Sequence, residues 1–246
     1  MANNYFQFKQ FTVYQSRCAM KVGTDGTLLG AWANGGKAVL DIGTGTGLVA
    51  LMMAQRFQEA LVVGLDIDAD AAAQAGENVA QSPFAGRICV LHADIRDFYL
   101  PTAVISQPLF AAQLQCSTFD AIVCNPPYFT DSLECPDSQR TLARHTAALT
   151  YADLMASAWR LLDEEGELSV ISPFDGKARM EQEAALAGFF KSRECAVRTT
   201  PQKPSRRYLM AFRKHSCELE RTEGVIETAP NVRSAWYQEL TKDFYL

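Results

Sequence analysis

The chain has 246 residues, of which 48% are hydrophobic, and a net charge of −5 from 23 basic and 28 acidic side chains. That length and composition suit one α/β domain with modest additions and are enough to bury a full core. The acidic balance argues against a bulk nucleic-acid binder, so any contact with RNA must rest on a local basic patch.

No apolar run approaches the roughly 20 residues of a membrane span. The start, Met1-Ala-Asn-Asn-Tyr-Phe-Gln-Phe, has no apolar signal region, so a cytoplasmic protein is expected. Seven cysteines are scattered without a C-x-x-C pair, which fits free thiols in a reducing compartment. With three histidines in all, no zinc site is expected.

In chain order, Phe6, Phe8, Phe11, Val13 and Tyr14 suggest a short strand or hairpin. Thr24-Asp25-Gly26 reads as a turn or helix cap, with a helix over 27–32. Lys37 to Ile42 is an apolar strand running into Asp41-Ile-Gly-Thr-Gly-Thr-Gly47, followed by a helix over 48–56. Strand, glycine turn and helix open a doubly wound fold. A pyrophosphate loop has the spacing G-x-G-x-x-G. Here Gly43, Gly45 and Gly47, with Thr44 between, give G-x-G-x-G, and Asp41 stands just upstream. An acid at that point repels a pyrophosphate and can hold an ammonium. S-adenosylmethionine, which has an amino-acid end, fits better than a dinucleotide.

A second strand, 61–66, ends in Asp66, followed by Ile67; this acid can accept from both ribose hydroxyls. A helix spans 69–81, and a third strand, 87–94, ends in Asp94, which can accept from an adenine amino group. Residues 100–116 have no clean period and read as a loop. A fourth strand, 119–125, delivers Asn125-Pro-Pro-Tyr128 to the edge where open α/β sheets bind ligands. The Asn125 oxygen and the Pro126 carbonyl can accept the two N–H groups of a planar amine. As the nitrogen pyramidalises both bonds strengthen, which is differential binding of the transition state. Two prolines hold the carbonyl in place, and Tyr128 and Phe129 offer stacking faces.

These motifs resemble a class I S-adenosylmethionine-dependent methyltransferase with the N-P-P-Y signature of amino-group methylation. The resemblance implies a Rossmann-like α/β fold: a seven-stranded, mostly parallel sheet with helices on both faces and an antiparallel last strand. The flanks Phe8-Lys-Gln-Phe-Thr-Val13, Ala19-Met-Lys-Val-Gly-Thr-Asp-Gly-Thr-Leu-Leu-Gly-Ala-Trp32 and Arg144-His145 are similar to the bacterial tRNA(Val) adenine-N6-methyltransferase family, from about residue 6 to about residue 214. That family implies methylation of the adenine 3′ of the anticodon. In class I methyltransferases the segment before the first strand covers the cofactor, which makes Lys21, Thr24 and Asp25 candidate pocket residues.

The polar stretch after Phe129 is a candidate substrate loop, with Arg140, Arg144 and His145 able to hold phosphate. A helix over 151–162 is expected to close at Asp163-Glu-Glu-Gly166, with Gly166 as its cap. Strand 167–172, helix 177–187 closed by Gly188, strand 189–197 and strand 208–214 follow. Arg198, Lys203, Arg206, Arg207, Arg213 and Lys214 form a basic run, a candidate contact for an RNA backbone. The tail beyond His215 reads as one more strand and a short helix docked on the body.

The organisation expected is one methyltransferase domain, with residues 1–36 covering the cofactor edge, 37–214 as the core and 215–246 as the tail; a monomer is expected. The function expected is methylation of an adenine amino group in tRNA. A ribosomal-RNA base and a protein glutamine amide stay open, since both offer a planar NH₂. A silent S-adenosylmethionine- or RNA-binding module is disfavoured by the intact Asn125-Pro-Pro-Tyr128, and a nicotinamide oxidoreductase is the weakest option.

Overall fold

The computed structural model describes residues 4–18, 20–100, 118–126 and 149–246. Strands β1 (Tyr5–Gln7) and β2 (Thr12–Tyr14) pair antiparallel as a hairpin, and α1 (Thr24–Trp32) follows. The alternation β3 (Ala38–Ile42), α2 (Leu48–Arg56), β4 (Leu61–Asp66), α3 (Ala69–Ala80), β5 (Ile88–His92) builds one half of a sheet. The other half is β6 (Phe119–Cys124), α4 (Tyr151–Leu161), β7 (Leu162–Pro173), α5 (Phe174–Leu186), β8 (Phe190–Arg198) and β9 (Arg207–Arg213). The tail adds β10 (Glu220–Val225), a small hairpin of β11 (Glu227–Ala229) and β12 (Val232–Arg233), and α6 (Ala235–Thr241).

The strand order is β10-β8-β9-β7-β6-β3-β4-β5. Only β9 runs against its neighbours; β3, β4, β5, β6 and β7 pair in parallel. The expected seven strands are therefore present with β9 antiparallel, and β10 extends them by an eighth, parallel to β8.

Both faces of the sheet are covered, as the near-continuous apolar strands require. Alternate residues feed opposite layers. Val39, Val62, Ala121 and Val123 pack with α1, α2, the N-terminal hairpin and the tail aromatics Tyr237 and Phe244. Leu40, Ile42, Val63, Leu65 and Ile122 pack with Leu154, Met155, Ala158 and Met180 of α4 and α5. Each fully buried Leu or Ile contributes about 1.5–3 kcal/mol, so these layers hold the strand ends that carry the site.

Three expected boundaries are corrected. Helix α1 begins at Thr24 with Gly23 as its cap, so Thr24-Asp25-Gly26 is its first turn and not a cap. Helix α5 begins at Phe174, three residues before the expected 177. The third is the end of α4. Gly166 is not a helix cap: α4 ends at Leu161, and Gly166 lies inside β7. The β6–β7 register jumps between Phe119↔Leu162 and Ala121↔Glu167, so the chain bulges there. A Cβ on Gly166 would stand 2.8 Å from the Leu162 side chain and 3.0 Å from the Asp120 carbonyl. The glycine answers a close approach, not a helix stop. Gly188 does close its helix, at φ 97°.

Among the described residues no helix is long and apolar enough to cross a membrane, and no group of three His, Cys, Asp or Glu is placed to hold a metal. Cys18, Cys89, Cys124, Cys195 and Cys217 are free thiols.

Candidate active site

A cavity of about 530 Å³ opens at the carboxyl edge of β3, β4 and β6. Its floor is the turn after β3, where Gly43, Gly45 and Gly47 have φ of 68°, 57° and 79°. Glycine adopts such angles at no steric cost, whereas most residues with a Cβ are strained there. A Cβ at Gly43 would meet no protein atom within 4 Å, so that position faces open space.

Asp41 is 1% exposed and holds the turn. Its Oδ2 accepts from the Thr44 hydroxyl at 2.7 Å and the Ala50 amide at 3.1 Å. Burial pushes its carboxyl up to about 7, against the lowering effect of those two bonds. Asp66 ends β4 and reaches across: its Oδ2 accepts from the Gly45 amide at 2.8 Å and its Oδ1 from the Asp68 amide at 2.9 Å. Ile67 beside it is 48% exposed on the cavity wall. Asp94, just beyond β5, binds Arg96 through Nε at 3.0 and 2.9 Å. That guanidinium holds the Asp94 carboxyl below its usual range.

The opposite wall comes from the segment ahead of β3. Lys21, Thr24 and Asp25 line the cavity, with Thr24 and Asp25 in the first turn of α1. Asp25 is ion-paired with Arg207 at the start of β9, which also lines the cavity. Asn125 and Pro126 close the β6 side. The Asn125 Oδ1 is buried and has no hydrogen-bond partner among the described residues.

The cavity thus gathers Asp41, Gly43, Thr44, Gly45, Asp66, Ile67, Asp94, Lys21, Thr24, Asp25, Asn125 and Pro126. Gly47 stands behind the turn as the residue before α2, against Ala75 of α3. Tyr128, Phe129, Arg140, Arg144 and His145 lie outside the described residues.

The basic run does not act as one patch. Arg198 pairs with Glu223, Arg207 with Asp25, Arg213 with Glu167 and Lys214 with Glu164. Lys203 and Arg206 are exposed in the β8–β9 connection.

Sequence reasoning missed Arg96, and also Asn78. Asn78 is fully buried in α3; its Nδ2 donates to the Tyr14 and Thr46 carbonyls at 2.8 and 2.9 Å, and its Oδ1 accepts from the Tyr14 amide at 2.9 Å. It ties the hairpin to the glycine turn. The available signal was an amide on the buried face of an Ala-rich helix, where polar groups are costly unless fully bonded.

Residues 39–151 match the family described as "Methyltransferase domain". A protein of Agrobacterium tumefaciens, described as a predicted O-methyltransferase, has a solved structure with a TM-score of 0.64 at 21% identity, covering 89% of this chain and 96% of that one. At that identity the likeness concerns the fold. Two relatives are much nearer in sequence. The protein named tRNA1(Val) (adenine(37)-N6)-methyltransferase in Phocaeicola vulgatus is 48% identical over 248 residues, covering 100% of this chain and 99% of that protein. The protein of the same name in Bacteroides thetaiotaomicron is 45% identical over 249 residues, with the same coverage. With that identity sustained over its whole length, this chain belongs to the tRNA1(Val) (adenine(37)-N6)-methyltransferase family.

Proposed function

We propose that this protein transfers a methyl group from S-adenosylmethionine to N6 of an adenine in tRNA, the adenine 3′ of the anticodon of tRNA(Val). The observation that carries the reading is the buried Asn125 Oδ1, an acceptor with no donor among the described residues, at the margin of the cavity. A buried acceptor left without a donor costs about 1–3 kcal/mol. An incoming N–H relieves that cost, so the protein is poised for a planar amine. Family membership supports adenine in tRNA as that amine.

The cofactor fits the residues present. The cavity lies within the roughly 300–1,000 Å³ usual for small-molecule sites, and Asp41, Asp66 and Asp94 stand at the carboxyl ends of three successive strands. In this reading Asp66 accepts from the ribose hydroxyls, and Asp94 and Ile67 meet the adenine. Asp41, Thr44, the turn glycines, Lys21, Thr24 and Asp25 surround the amino-acid end. When bound, S-adenosylmethionine supplies an electrophilic methyl group on sulfur.

The chain's own task is to make a poor nucleophile react. The lone pair of an adenine amine is delocalised into the ring. Asn125 Oδ1 and the Pro126 carbonyl accept its two N–H groups and draw the nitrogen toward a tetrahedral shape, holding it in line for transfer. Tyr128 and Phe129 stack the flipped base. An adenine in a single-stranded loop is cheap to unstack. Arg140, Arg144, His145, Lys203 and Arg206 are assigned to RNA phosphates, and Arg207 to the wall between cofactor and substrate. The free thiols fit a cytoplasmic setting. Residues 1–246 are read as one domain, since Phe8 of the N-terminal segment and Phe244 of the tail share a layer with the sheet.

The test is radiolabelled transfer to unmodified tRNA, ribosomal RNA and release factor in parallel, followed by nucleoside analysis. Label as N6-methyladenosine in tRNA is the expected result. Label in protein alone, as methylglutamine, overturns it.

A further inference from the structure

At the carboxyl edge the chain leaves β7 at Pro173 and turns straight into α5. Its first residue, Phe174, is 56% exposed. The position is close to the reacting edge: Cys124 of β6 is level with Val170 of β7, so Asn125-Pro126 and Ser172-Pro173-Phe174 leave neighbouring parallel strands side by side. The Phe174 ring lies 6.3 Å from that of Tyr208, inclined at 41°. Lys177 Nζ sits 4.4 Å from the Tyr208 ring centre. The Phe174 amide donates to the Arg206 carbonyl at 3.0 Å, which joins the start of α5 to the backbone of Arg206, itself an exposed residue. Lys203 is exposed three residues earlier. The other four cations of that stretch are neutralised by acids, whereas Lys203 and Arg206 have no ion pair among the described residues.

We propose that Phe174 and Tyr208, with Arg206 and Lys203, form a ledge that holds the RNA strand flanking the reacting base. The inference rests on the RNA-methylation reading above and adds a binding subsite to it. When one base is flipped into the cavity, its neighbour in the strand loses a stacking partner. Phe174 offers that neighbour a face, and Arg206 and Lys203 meet the adjoining phosphates. Stacking on an aromatic ring tolerates any base.

The test is steady-state methyl transfer with tRNA varied, on Phe174→Ala, Phe174→Trp and Arg206→Ala, with S-adenosylmethionine affinity measured by calorimetry. Because Phe174 is exposed, its truncation leaves the core intact. Phe174→Ala is expected to raise KM for tRNA about tenfold, with kcat and cofactor affinity close to wild type. Phe174→Trp restores KM. Arg206→Ala lowers the slope of log KM against log salt by about 1, the signature of one lost phosphate contact. An unchanged KM in Phe174→Ala, with normal wild-type methylation of tRNA, overturns the ledge alone. A fall in kcat without a change in KM also overturns it, since that places Phe174 at the chemical step. Failure of the wild-type protein to methylate any RNA overturns the reading beneath.

Discussion

The carboxylate of Asp66 accepts the Gly45 amide at 2.8 Å, so the acid that ends β4 is tied to the glycine turn that follows β3. Two neighbouring strand ends are thereby held as one surface before any ligand arrives. A carboxylate has about four acceptor positions, and the Gly45 and Asp68 amides use two. The remainder suffices for a ribose diol. Asp66→Ala is therefore predicted to weaken S-adenosylmethionine binding by roughly 10- to 100-fold, the scale of one or two hydrogen bonds to a charged group. It also lowers the melting temperature, because the Gly45 amide loses its acceptor. Calorimetric titration and a thermal melt check both effects. Unchanged affinity would refute the ribose role.

Asp41 gives a pH dependence whose sign follows from its burial. Its carboxyl stands at about 7 in the folded protein, against 3.8 for the free group. Between those values the unfolded chain releases a proton that the folded chain keeps. Stability from this group therefore declines as pH rises through that window, and the full penalty stands above it. Asp41→Asn keeps an oxygen for Thr44 and Ala50 but cannot titrate. Its melting temperature relative to wild type should become more favourable from about pH 5 to about pH 8. A difference that stays flat with pH would contradict the assignment.

Asp25 and Arg207 are 182 positions apart and meet on the cavity wall, joining the first turn of α1 to the start of β9. The pair is 19% and 30% exposed, so water screens it only in part. Removing either partner leaves the other charge at the cofactor cavity. Both Asp25→Ala and Arg207→Ala are predicted to weaken cofactor binding several-fold, and the double variant by less than the product. A double-mutant cycle on the binding constant measures this. Strict additivity would mean that the two residues act independently.

Much of this architecture was legible because its signals are local. Helix α2 and strand β4 fall at 48–56 and 61–66, where apolar period and glycine punctuation place them. The acids at the ends of β3, β4 and β5 could be aligned because parallel strands bring their carboxyl ends together. What was not legible depends on distant partners. Gly166 looks like a helix stop, but the register jump against β6 explains it. The basic run looks continuous, yet Glu164, Glu167 and Glu223, brought in from β7 and β10, neutralise half of it. Arg207 reads as a surface cation until Asp25 is folded against it. Phe174 resembles any apolar residue beside a proline, and only the fold leaves its ring in water next to the site.

The most direct measurement is single-turnover transfer to unmodified tRNA by wild type and Asn125→Ala, with S-adenosylmethionine affinity determined for each. The buried Asn125 oxygen is predicted to act on the substrate amine and not on the cofactor. Asn125→Ala should then lose roughly 100-fold or more in the rate of N6-methyladenosine formation, the scale of one lost oxyanion-type contact, while binding the cofactor as wild type does. Transfer at the wild-type rate by Asn125→Ala would contradict the account.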